Sequence, residues 1–219
     1  MIRFPFVIYL VILPAAFLAP IIHEYVKAKV SAALGDATIK KQELHKFGIK
    51  KFFEPIGFFF MMYFHVGWGQ PVQVSPLYYK DRRKGLLLTY LVPIAVNIML
   101  GVLVLLIWGA LRPSLFAWGV LQASDLPYLI FFYIEGVVVW FARLNIGLAL
   151  FNLIPISPLA GSKLLPIFLP PETSVRMSYY EKPLQIIMVI LLVFGLLQAF
   201  LFPIREVLIQ LVGFDSLWM

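Results

Sequence analysis

Long runs without a single charged residue are the strongest constraint on what this chain can fold into. Residues 4–22, 85–111 and 183–204 carry no Asp, Glu, Lys or Arg. Residues 126–153 carry only Glu135 and Arg143. A helix needs about 20 apolar residues to cross a bilayer, and backbone at that depth must satisfy its own hydrogen bonds. Composition agrees: 62% of the 219 residues are hydrophobic and 13% are charged, against roughly 45–50% and 25% in soluble domains. A soluble fold would have to expose apolar patches well beyond what a monomer tolerates. The expectation is an all-α polytopic membrane protein of one domain over 1–219, with about five hydrophobic segments and the lipid bilayer as its surroundings.

The net charge of +7 is not a nucleic-acid signature, because the cations sit between apolar runs and not on a basic stripe. Seven lysines fall in 27–51, against Asp36 and Glu43. The positive-inside rule places that polar loop in the cytoplasm, and short extended pieces are expected within it. A second basic cluster, Lys80-Asp81-Arg82-Arg83-Lys84, follows a charge-free stretch over 55–79. Residues 67–76 in that stretch alternate and are punctuated by Gly and Pro, which predicts a strand or hairpin. Whether 52–79 re-enters or spans is left open by the charges. The first run exceeds the 7–15 residues of a signal-peptide core and flows directly into His23-Glu24, so a retained helix is expected. With no Cys, thiolate metal sites and disulfides are excluded.

Two constellations carry chemistry. His23-Glu24-Tyr25-Val26-Lys27 closes the first run. In H-E-x-x-H, two His one turn apart reach one zinc while the Glu takes a proton from the metal-bound water. Here Lys27 stands at the second His position. The other constellation runs from Phe151-Asn152 through Pro155 and Pro158 to Ala160-Gly161. It predicts a late helix broken by proline, with freed backbone groups at membrane depth.

Together these residues resemble the site-2 protease family, intramembrane zinc metalloproteases, in its short bacterial form. That family carries H-E-x-x-H early and N-x-x-P-x-x-P-L-D-G late, the Asp being its third zinc ligand. Between them come a D-P-x-G, a G-W-G-K-P-V-like segment, a basic stretch and a G-P-x-x-N helix. This chain has Glu54-Pro55-Ile56-Gly57, Gly67-Trp68-Gly69-Gln70-Pro71-Val72, Arg82-Arg83 and Val92-Pro93-Ile94-Ala95-Val96-Asn97, in that order. The resemblance implies a metal-ligand position at His23, a general-base position at Glu24, and Asn97, Asn152, Pro155, Pro158 and Gly161 around the cleft. It also implies a bacterial cytoplasmic membrane.

The departures fall on the chemistry. Lys27 and Ala160 occupy the other two ligand positions, leaving one of three protein ligands for a metal that needs three plus water. No cofactor is expected on that reading. Lys27 either pairs with Glu24 three residues earlier or snorkels to the surface. His65, after the Phe-rich 58–64 run, is the candidate substitute ligand, and His45 lies in the lysine-rich loop. Glu135 and Arg143 are functional candidates by their depth. A structural pair with each other or with Glu24 is one reading, though an eight-residue spacing makes the direct pair imperfect; the favoured expectation is that Arg143 faces the bundle interior and serves structure. The leading expectation is a pseudoprotease that binds a transmembrane segment or regulates a membrane partner. The alternatives are an active intramembrane zinc metalloprotease with substituted ligands, and a small transporter-like bundle.

Overall fold

The computed structural model describes residues 5–121, 125–157, 159–170, 173, 177 and 179–212. Three helices carry the architecture: α1 (Pro5–Ala33), then, after three short helices, α5 (Arg82–Leu121), and α6 (Asp125–Asn152). Each is long and apolar enough to cross a membrane. The short helices are α2 (Ala37–Lys41), α3 (Ile49–Phe52) and α4 (Pro55–Phe64). After α6 come α7 (Ala160–Leu164), α8 (Glu181–Val193) and α9 (Leu196–Leu211). The last two form a pair bent by 70° that counts as a fourth span if taken together. The described residues therefore hold three or four spans, where sequence predicted about five hydrophobic segments.

The bundle is α1, α5 and α6 packed on one another, with α4 against α1, α7 against α5 and α9 against α6. One core cluster joins Val11, Ala15 and Ala19 of α1 to Trp140, Leu144 and Leu148 of α6. Alanines on this face let the two helix backbones approach, the usual packing mode when lipid removes any hydrophobic drive between helices. A second cluster joins Leu105 and Trp108 of α5 to Phe131, Ala142 and Ile146 of α6.

Three expectations change. First, α1 does not stop with its charge-free run but continues eleven residues past Ile22 to Ala33, through Lys and Ala, which are strong helix formers. It ends before Gly35, whose φ of 106° only glycine adopts cheaply. Asp36 then caps α2 by accepting from the N–H groups of Thr38 and Ile39. The lysine-rich stretch thus holds α2 and α3, not extended pieces.

Second, no strand forms over 67–76, and none occurs among the described residues. The segment is extended, but its N–H groups go elsewhere. Gln70 donates to the Phe52 carbonyl at 2.9 Å, Val72 to the Glu24 carboxylate at 2.8 Å and Ser75 to the Asp36 carboxylate at 2.7 Å.

Third, Glu135 and Arg143 pair neither with each other nor with Glu24, while Arg143 does face the bundle interior as expected, 7% exposed. Glu135 meets Arg112 at 2.8 Å, and Arg143 meets Glu206 of α9 at 3.2 Å. Eight residues on a helix turn the two side chains about 80° apart, so each is met by a different neighbouring helix. The late helix does break as expected: α6 ends at Asn152 and α7 begins at Ala160.

Candidate functional site

His23, Glu24 and Lys27 share one face of α1, and all three are buried. The His23 ring reaches Asn97 of α5, Nδ1 to Oδ1, at 2.9 Å. The Asn97 amide nitrogen donates to Asn145 of α6 at 2.9 Å, and that of Asn145 donates to the Phe141 carbonyl at 2.8 Å. This chain has a direction. With its NH₂ given to Asn145, Asn97 presents its carbonyl oxygen to His23, so the ring donates through Nδ1–H. Nε2 keeps its lone pair, which is the state of an imidazole prepared to bind a metal.

Glu24 is arranged differently. One carboxylate oxygen, Oε2, accepts from the Lys27 ammonium at 3.1 Å and from the Val72 N–H at 2.8 Å. The extended segment comes this close because of its glycines. A Cβ on Gly69 would lie 2.8 Å from the Pro20 carbonyl oxygen and 3.2 Å from Cγ of Glu24. Gly57 of α4 and Gly67 back onto each other: a Cβ on either would overlap the carbonyl of Trp68 or of Gly57. At Gly57 the Glu54 carboxylate caps α4 by accepting the Gly57 N–H.

Lys27 also lies 5.4 Å from the centre of the Tyr90 ring, a cation–π distance. Tyr90 packs in one apolar cluster with Ile94, Ala149, Ala160 and Leu164. Lys27, one departure from the family pattern, thus faces Tyr90, and Ala160, the other, belongs to the apolar cluster that holds that ring. The break before Ala160 is tight: a Cβ on Gly161 would lie 2.5 Å from the carbonyl oxygens of both Leu153 and Ile154. Pro155 is exposed on that turn, and Pro158 lies outside the described residues. Asn152 bonds within its own helix, to the Leu148 carbonyl at 3.0 Å.

His65 is placed elsewhere. It ends α4 in the left-handed conformation, φ 57°, with its ring 4.5 Å from that of Trp140 and 6.2 Å from that of Phe202. The structure does not bring it into a metal-holding group with His23. Among the described residues no group of three or more His, Asp or Glu side chains is placed to hold a metal ion. His23 and Glu24 alone fall short of the three protein ligands a catalytic zinc takes.

The chain is similar to a bacterial protein named "Putative zinc metalloprotease YwhC". That relative, from Bacillus subtilis, is 29% identical over 184 residues, covering 83% of this chain and 79% of its own. The likeness fits a site-2 protease-like family, and with the long apolar helices it points to an integral membrane protein. No family model matches the chain, and no solved structure matches it.

Sequence reasoning missed two members of the site. Asn145 had a signal, a polar residue inside an apolar run. Tyr90 had none, since an aromatic at a helix position reads as core.

Proposed function

We propose that this chain is a pseudoprotease: a site-2-protease-like membrane protein that receives a transmembrane segment of another membrane protein and does not cut it. The observation that carries the reading is Lys27. Its ammonium lies between the Glu24 carboxylate and the Tyr90 ring, where the family resemblance calls for a second imidazole. An ammonium repels a divalent cation, and Oε2 of Glu24 already accepts from Lys27 and Val72. Ala160 in the Tyr90 cluster supplies no ligand and leaves no carboxylate uncompensated in a low-dielectric interior.

The competing reading is an active zinc metalloprotease, and one observation favours it. Asn97 holds Nδ1 of His23 and leaves Nε2 free for a ligand; the relative of 29% identity, besides, bears a metalloprotease name. Zinc content of the purified protein separates the two. The pseudoprotease reading expects substoichiometric zinc, unchanged in His23→Ala. Stoichiometric zinc lost in His23→Ala would overturn it. Lys27→His with Ala160→Asp should then gain zinc binding, because the Asn97–Asn145 relay already orients the remaining ligand.

A further inference from the structure

We propose that the charged end of the bundle is a docking surface for anionic phospholipid headgroups. The end of α1 and the start of α5 meet here through a chain of hydroxyls. Ser31 bonds Tyr79 at 2.7 Å and Tyr79 bonds Thr89 at 3.1 Å. On this end sit α2 and α3, packed against α1, and the 3₁₀ turn Pro76–Tyr78, packed against α5. Ten of the chain's 18 Lys and Arg lie between Lys29 and Lys84, with four of the 11 acids.

Those four acids are already engaged. Asp36 is buried under Ser31, Thr38 and Ser75, and Glu54 caps α4. Glu43 pairs with Lys46 and Asp81 with Lys84. Lys40, Lys41, Lys50, Lys80 and Arg82 are exposed and meet no carboxylate among the described residues.

Beside them stand apolar side chains that water would not favour: Phe47 is 55% exposed, Ile49 45%, Leu77 81% and Tyr78 51%. Cations and exposed aromatic or aliphatic groups side by side, at the end of spanning helices, are the chemistry of an interfacial surface. The rings and Leu77 enter the headgroup boundary while the ammonium groups meet phosphate. An acidic soluble partner would match the cations and leave Leu77 without a purpose.

The full chain is reconstituted in vesicles of phosphatidylcholine and phosphatidylglycerol at about 7:3, re-extracted in mild detergent, and its retained lipids counted by mass spectrometry. Phosphatidylglycerol should be enriched several-fold over the bulk mixture. Each exposed cation near the surface is worth about a fivefold preference, so K40Q/K41Q/K50Q/K80Q should bring the ratio most of the way back to that of the bulk, Arg82 and Arg83 keeping a remainder of it. Phe47→Ser with Leu77→Ser keeps every charge and should also cut retention, which a purely electrostatic surface would not show. A bulk lipid ratio in the wild type, or enrichment untouched by both variants, would overturn the proposal. So would displacement of the lipid by inorganic phosphate beyond that by chloride at equal ionic strength, or tight polyglutamate binding without lipid enrichment.

Discussion

At the scale of single residues, Lys27 decides how the site is read. Its ammonium and the Glu24 carboxylate are both about nine-tenths buried as side chains, so neither charge has water to fall back on. Removing one partner of such a pair costs about 3–5 kcal/mol, whereas replacing both is often nearly neutral. Lys27→Met should therefore lower the melting temperature in detergent substantially. Adding Glu24→Gln should recover much of the loss, since a Gln oxygen still accepts the Val72 N–H. A Lys27→Met protein as stable as the wild type would mean that the ammonium reaches the surface and the pair contributes little. The sequence made Lys27 visible as a misplaced charge but not its partner among the two options weighed. That depended on the helix continuing beyond it, which buries the side chain instead of letting it snorkel.

At the scale of elements, the extended segment over 67–76 shows both what pattern reasoning reads and what it misses. Its burial does not alternate: Gln70 is exposed and Val72 buried, though the two would share a face of a strand, and Gln73 is exposed as well. The inference to a strand failed because a strand needs a neighbouring backbone, and here two of the acceptors are carboxylates of residues distant in sequence. Asp36 is one of them. Burial alone would raise its pKa, but the Ser75 N–H, the Thr38 and Ser31 hydroxyls and the Thr38 N–H together hold it below the ordinary carboxylate value. A depressed pKa contributes stability that is complete above the unfolded value, about 4, and is lost as pH falls through the lower folded value. The wild type should accordingly lose stability on the acid side of pH 4. Asp36→Asn should be less stable at neutral pH and flatter across that window, as read by thermal unfolding against pH. A wild-type curve with no acid-side loss beyond that of Asp36→Asn would remove Asp36 from the account.

At the scale of the whole molecule, ionic groups join helices where lipid offers no hydrophobic drive. Glu206 of α9 holds two buried guanidiniums, Arg143 of α6 at 3.2 Å and Arg205 at 2.7 Å. The rings of Trp140 and Phe202 lie against them at 5.4 and 4.2 Å. Glu206→Gln leaves both cations without their shared carboxylate, at a cost of roughly 2–3 kcal/mol. Because α9 reaches the bundle mainly through α6, the loss should appear first as protease cleavage near Gly195, the left-handed joint between α8 and α9. Cleavage there at the wild-type rate would show that apolar packing alone holds α9. The sequence marked Arg143 as an interior group worth explaining. It did not reveal Glu206, because periodicity within one helix says nothing about which helix will face it.

Glu24 takes both Lys27 and Val72 on a single oxygen, and this sets the order in which the site can change. Lys27→His alone strips the ammonium and strands a carboxylate in the interior. Ala160→Asp alone places a second carboxylate among Tyr90, Ile94 and Leu164 with no metal to meet it. Each step towards a three-ligand site is unfavourable until the other has been taken and a cation is present to join them. On the pseudoprotease reading such an exchange acts as a ratchet, because reversing it one codon at a time means passing through a less stable protein.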